Sequence, residues 1–472
     1  MVGLVHAQVL TPFHSIQKQP KVQFDYWVYS TQAGNGSANQ YPVVAASKSD
    51  MDNIFSNANS NTTLYQQGRT NSSRILDWQS TGELSSIGIN IPNSGNYFAF
   101  KIQGTFIPQE TGTYTFTLES DDASDFLIEG NSVIGTYLGQ AVPALGTHTG
   151  TYSVVAGKSY SYTIRMQQGA GGFGLRFYWR SPIQNTAPSS YTSLLPANTY
   201  FQSWKQNLQE LITSPDMDGT TSAKAAPNAQ YLQNAFNNHT DGVYWINLPY
   251  VGPTQLYCLL NTSTDGGGWM MMMKATRGTT FSYSSSYWTS INTLNPANTN
   301  RNDGDAKFEA MNYYYAKDIM ALWPDIPWNT NSSTTGGSIN TNGTYNNWCW
   351  LQNNFNNGIR ITPVNFFYSA SRLFFGDAKS YSGWNGGVFS SQTSVRFYGF
   401  NYTNASNANI RWGFSWNENA PLALFPNGDE GSNDVSGGIG MAYGSYSAGD
   451  YIGCCQDFGG INRTARVEIY IR

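Results

Sequence analysis

The sequence predicts a multidomain chain, with an N-terminal all-β sandwich followed by a C-terminal α+β domain with long ordered loops. Composition is the first reason. Charged residues make up 11% of 472 and aromatics 15%, with 47 Gly, 31 Tyr and 14 Trp, against roughly 25% charged in ordinary domains. Disordered chains are charge-rich and aromatic-poor, so this balance indicates a β-rich fold with many uncharged turns. The second reason is period-two alternation of apolar and polar residues in short segments punctuated by turn residues. The third is a change of pattern after residue 198, in a chain long enough for two to three domains.

Residues 1–22 read as an extended, irregular arm. Residues 23–198 read as strands and turns, with YFAFKIQGTFI (97–107), TYTFTLES (113–120), DFLIEG (125–130), SYSYTIRMQQ (159–168) and GLRFYWRS (174–181) as the clearest strands. Many short strands with Gly-bearing turns point to a sandwich. Residues 199–240 read as a helical linker. Trp204, Leu208, Leu211 and Ile212 sit at helical spacing before Pro215, and YLQNAFNN (231–238) is a second helical segment. Residues 241–472 are rich in Gly, Asn and Trp, which predicts short elements joined by long ordered loops.

The same counts exclude several functions. The net charge is −4 and no basic stripe is visible, which argues against nucleic acid. No apolar run approaches the ~20 residues of a membrane helix, and the first residues lack the charged and apolar pattern of a signal peptide. Cys258, Cys349, Cys454 and Cys455 are too few for a disulfide scaffold, fit no zinc spacing, and read as reduced thiols. The sequons at Asn71, Asn331 and Asn462 read as turns. None of His6, His14, His148 and His239 sits in a recognisable nucleophile motif, and no Gly-rich loop opens onto a helix, so no enzyme is expected.

In the N-terminal half, GTFIPQETGTYTFTLESDDASDFLIEG (104–130) runs a strand into the acidic turn Asp121-Asp122 and a second strand out of it. Adjacent carboxylates repel unless a cation or solvent compensates them. Calcium takes several oxygen ligands at once, so either a calcium site or a solvated acidic turn fits the pair. Pro108, Gly112, Tyr114, Phe116, Asp121, Asp122 and Gly130 follow the pattern of a known β-sandwich family. This string resembles the sandwich of anthrax protective antigen, shared by the sugar-binding heads of yeast flocculins and GLEYA adhesins. The resemblance implies that Asp121 and Asp122 are joined by a cis peptide and hold a calcium that contacts sugar hydroxyls.

In the C-terminal half, DGVYWINLPYVGPTQLYCLLNTSTDGGGWMMMMKA (241–275) carries Gly242, Tyr244, Ile246, Tyr257, Cys258 and Gly266 to Trp269. Three glycines before Trp suit a tight turn feeding a core strand, and Met270 to Met273 read as core. The segment resembles the opening of fibrinogen-like domains. NNWCW (346–350), FFGDAK (374–379), FPNGDEGSND (425–434) and RVEIYIR (466–472) narrow the likeness to intelectins.

The intelectin likeness implies a calcium-bridged diol site at Asn417, Glu418, Asn419 and Asn427, walled by Tyr443 and Tyr446. The family's His position corresponds to Ala420 and its loop acid to Asn427, so two ligand positions are altered. A separate structural calcium is implied at Asp303, Asp305 and Asp434, where Asx-turn capping is the alternative. The GGGWM, NNWCWLQNN and CCQD strings are also similar to those in fibrinogen-like modules of marine cyanophage virion proteins.

These likenesses imply a phage fibre or decoration protein, assembled in the host cytoplasm and displayed on the virion surface. Calcium is the expected cofactor and a host cell-surface glycan the expected partner. Residues 1–22 would dock on other virion structural proteins. No membrane insertion is expected, and homo-oligomers are common among fibres. A purely structural scaffold is the first alternative, and a glycan-processing enzyme the second.

Overall fold

The computed structural model describes residues 22–31, 44–56, 62–72, 76–185, 204, 217–327, 347–369, 373–374, 399–403, 409–416, 435–452 and 462–472. The chain is mostly β-sheet. The N-terminal half contains β1 (Val22–Ser30), β2 (Thr63–Ser72), β3 (Asp77–Trp78), β4 (Phe98–Phe106), β5 (Gly112–Asp121), β6 (Ala123–Ile128), β7 (Asn131–Thr136), β8 (Thr149–Val154), β9 (Tyr160–Gln168) and β10 (Gly174–Arg180). They form a six-stranded sheet, β2-β1-β4-β9-β6-β7, and a four-stranded sheet, β3-β10-β5-β8.

Inward-facing aromatics join the two sheets. Phe116 of β5 lies 5.0 Å from Phe126 of β6, and Phe126 lies 4.7 Å from Phe177 of β10, between ring centroids. Phe106, Ile164, Met166 and Trp179 complete this buried layer. The five strands read from alternation are β4, β5, β6, β9 and β10 within a few residues.

The outer face of the larger sheet is covered by the helix Lys48–Ile54, which Ser47 caps by accepting from the Asp50 amide. Its Met51 and Ile54 pack with Tyr29, Ala99 and Ala123. Arg165 of β9 fastens this layer, donating to both carboxylate oxygens of buried Asp125 and to Asp52 of the helix. A fork on a carboxylate fixes orientation as well as charge.

The C-terminal half contains β11 (Gly242–Leu248), β12 (Gly252–Leu259), β13 (Trp269–Ala275), β14 (Ala306–Lys307), β15 (Ile319–Pro327), β16 (Asn347–Gln352), β17 (Leu373–Phe374), β18 (Gly399–Tyr402), β19 (Ile410–Trp416), β20 (Val435–Met441), β21 (Ala448–Ile452), β22 (Asn462–Thr464) and β23 (Val467–Ile471). One sheet runs β11-β12-β13-β23-β15-β16, with β14 on β13, and the other runs β17 to β22 in sequence order. Met270 to Met273 are fully buried in β13. Gly266, Gly267 and Gly268 all have φ near +78°, a backbone that L side chains rarely adopt. They deliver Trp269, which is fully buried and donates its indole N–H to the Thr264 carbonyl at 3.1 Å.

The segment 231–238 is helical in part, as the helix Ala229–Ala235, and its Tyr231 and Leu232 are buried in the C-terminal core. Asn228 caps it and also donates to the Gln109 carbonyl at 2.5 Å. Asn234 donates to the Ala156 carbonyl at 2.7 Å, so this helix touches both halves. The first helical pattern, from Trp204 to Ile212, lies outside the described residues apart from Trp204. So do residues 1–21 of the arm, Asn331, Cys454 and Cys455.

Two sequons differ from expectation. Asn71 lies in β2 opposite Gln23, and Asn462 lies in β22 opposite Tyr451. Turn propensity is a local preference, and ladder pairing overrides it at both positions. Cys258 and Cys349 are buried free thiols.

Candidate functional site

Asp121 and Asp122 stand where the chain leaves one sheet of the sandwich and enters the other. Asp121 ends β5 and pairs with Gly174 of β10, whereas Ala123 begins β6 and pairs with Gln167 of β9. The peptide between the two acids is cis, as the resemblance implies. Ser120 Oγ donates to the Asp122 carbonyl at 2.5 Å, so the crossing is tied at the backbone as well.

The two carboxylates have different surroundings. Asp122 is 8% exposed. One of its oxygens accepts from the Gln140 amide at 3.0 Å and the other from the Gly169 amide at 2.8 Å. Each oxygen keeps lone-pair capacity after that bond. Asp121 is half-buried, and among the described residues no donor is found on its carboxylate. Burial, and then the charge of Asp122, hold the Asp121 carboxyl above the usual carboxylate range.

Two loops reach the pair, and a third braces one of them. The turn 169–173 supplies the Gly169 amide, and a Cβ at Gly172 would sit 3.0 Å from Asp121 Oδ2. Glycine therefore leaves the space in front of that carboxylate open. The loop 92–97 is locked to this turn, since the Gly171 amide donates to Asn96 Oδ1 at 3.0 Å and the Tyr97 amide donates to the Gly169 carbonyl at 2.6 Å. The loop 137–148 supplies the Gln140 amide. Buried Glu119 anchors it, accepting from the Gly146 and His148 amides at 3.0 Å each and pairing with His148 Nδ1 at 2.8 Å.

Gln168, next in sequence to Gly169, was not singled out by the sequence reading. It ends β9, is fully buried, and donates through its amide nitrogen to the Gly172 carbonyl. Its Oε1 is buried with no donor among the described residues, which is costly for a polar atom. The two ends of a Gln amide differ only by a flip. Gln168 is thus linked to the acids only through its neighbours: Gly169 donates to Asp122, and Gly172, whose carbonyl Gln168 holds, lies against Asp121 Oδ2. Its only sequence signal was the Gly-rich string that follows it. Among the described residues no three His, Cys, Asp or Glu side chains are grouped to hold a metal, so an ion here would rely on amide and backbone oxygens beside the two acids.

The C-terminal candidates fare differently. Asp303 pairs with Arg277 at 3.0 Å, and its carboxyl is held low, chiefly by a hydrogen bond from Thr276 and then by Arg277. Asp305 accepts from the Thr276 amide at 2.9 Å and from Thr280 Oγ1 at 2.5 Å. Both acids thus have partners within the protein. The Tyr443 ring lies tilted 4.6 Å from Tyr451, between ring centroids, and Tyr446 packs against Tyr402, Ile410 and Met441. Asn417, Glu418, Asn419, Asn427 and Asp434 lie outside the described residues.

Among the described residues no helix is long and apolar enough to cross a membrane. No curated protein matches the chain. Among solved structures, an anti-sigma factor domain-containing protein matches at 14% identity and a TM-score of 0.23, over 34% of this chain and 42% of that one. A PA14 sugar-binding domain from an RTX adhesin matches at 16% identity and a TM-score of 0.24, over 34% of this chain and 90% of that one. The A domain of epithelial adhesin 6 from Candida glabrata, in complex with Galβ1-3GlcNAc, matches at 17% identity and a TM-score of 0.25, over 34% of this chain and 80% of that one. A family model matches residues 85–191, which contain the acidic pair, all of β4 to β10 and Gln168, and it is that of the PA14 domain.

Proposed function

We propose that the N-terminal sandwich is a calcium-dependent carbohydrate-recognition module centred on Asp121 and Asp122. The observation that carries this reading is the pairing of two carboxylates at the sheet crossing, where neither the Asp121 carboxylate nor the buried oxygen of Gln168 has a donor among the described residues. The match of this region to the PA14 domain supports the same reading.

Asp121, Asp122 and Gln168 would hold the ion. When bound, calcium supplies a positive centre on which vicinal sugar hydroxyls can be held. The Gln140 and Gly169 amides keep the Asp122 carboxylate aimed, and Gly172 keeps the approach to Asp121 open. Asn96, already fixed through its Oδ1, retains an amide NH₂ for a hydroxyl. No general acid, base or nucleophile has a role in this binding, and we read the protein as an adhesin without catalytic activity.

The wider setting belongs to the same proposal. The C-terminal half is read as a fibrinogen-like, intelectin-like module, and the whole chain as a phage fibre or decoration protein. It would be displayed on the virion surface after assembly in the host cytoplasm, docked through residues 1–22 and facing host-surface glycans, as a homo-oligomer. The sequence strings quoted above support this setting.

A glycan array probed with the full chain tests the module. Binding is expected in millimolar calcium, abolished by EDTA, and weakened on the order of 100-fold, ~2.7 kcal/mol, by Asp121→Asn. Array binding that survives both EDTA and the substitution would reject the calcium-bridged reading. No binding in calcium would favour a scaffold.

A further inference from the structure

A buried cation of the chain's own sits in the C-terminal half. Lys274 of β13 is 1% exposed. Its Nζ lies 3.1 Å from Asn298 Oδ1, 2.8 Å from the Asn300 carbonyl, 3.3 Å from Asn300 Oδ1 and 3.1 Å from the Asn302 carbonyl. An ammonium has three donors and no acceptor, so one loop supplies all it can use.

The loop has the form of an ion-binding loop. Calcium loops present oxygens from alternate residues, mixing side chains with backbone carbonyls. Asn298, Asn300 and Asn302 follow that spacing in NTNRND. All four oxygens are neutral amide oxygens, which suits a single positive charge better than a divalent ion, whose affinity rises with the number of charged ligands.

Among the described residues, the carboxylates that follow the loop in sequence or lie opposite Lys274 in the ladder face other partners. Asp303 is on Arg277, and Asp305 is on Thr276 and Thr280. Glu468, opposite Lys274 in the ladder, is taken by Arg301 at 2.7 Å, Arg466 at 2.8 Å and the Tyr470 hydroxyl at 2.8 Å.

We propose that the Lys274 ammonium is the resident cation of the 298–302 loop, standing where a structural metal would otherwise be needed. The order of this loop is then independent of calcium, unlike the site proposed at Asp121 and Asp122. It does not rest on the carbohydrate reading and can fail separately from it.

Hydrogen exchange of the peptide covering residues 295–305, followed in the full chain, is the test. In the unsubstituted protein its protection is expected to be the same in calcium and in EDTA. Lys274→Met is expected to speed exchange of this peptide at least tenfold while peptides of the N-terminal sandwich stay unchanged. Should Lys274→Met not fold, Asn298→Ala removes one oxygen at a partly buried position and is expected to speed exchange of the same peptide several-fold. Faster exchange of this peptide in EDTA, or full protection in Lys274→Met or in Asn298→Ala, would overturn the proposal.

Discussion

The Asp121 carboxyl carries the clearest electrostatic signature of the site. Its pKa is raised by burial and by Asp122. In the metal-free protein the folded state therefore binds this proton more tightly than the unfolded state. Stability should fall as pH rises through the raised pKa. Calcium reverses the sign, because the ion requires the ionised form. Thermal melts between roughly pH 4 and 6, where carboxylates titrate, should show EDTA-treated protein gaining from acid while calcium-loaded protein loses. Parallel pH profiles in EDTA and calcium would contradict this. The acidic pair was legible because two adjacent acids between strand patterns are rare and chemically loaded. Gln168 was not, since only the fold brings the end of β9 against the β5 to β6 crossing.

At the scale of elements, the strands were legible where alternation met turn residues, as in β4, β5, β9 and β10. The Gly-Gly-Gly-Trp turn was legible for a local reason, since only glycine repeats a left-handed backbone without strain. Asn71 and Asn462 were misread because strand pairing is a non-local property. The anchoring of the 137–148 loop by Glu119 was hidden for the same reason. Glu119 is fully buried and reaches Thr117, Gly146 and His148. Glu119→Gln replaces a charged acceptor by a neutral one and should cost about 1.5–3 kcal/mol in chemical denaturation. It should also weaken calcium binding several-fold, because this loop presents the Gln140 amide to Asp122. Unchanged stability and affinity would show that the loop is held by other contacts.

Across the whole molecule, two cation strategies stand side by side. The N-terminal sandwich sets two acids at its sheet crossing, where we propose that calcium binds, and the C-terminal half wraps an amide-oxygen loop around its own lysine. The helix Ala229–Ala235 links the halves through Gln109 and Ala156. A two-part, β-rich chain was legible from composition and pattern. The partners of Asp303 and Asp305, which are Arg277, Thr276 and Thr280, were not legible in sequence because they lie outside the motif itself.

The most direct test of the central claim is a crystal structure of the chain grown in millimolar calcium. An ion is expected within 2.3–2.6 Å of oxygens from Asp121, Asp122 and Gln168, the range typical of calcium, with the Gln168 amide turned so that Oε1 faces it. Water alone in front of Asp121, with Gln168 Oε1 accepting from a protein donor, would contradict it.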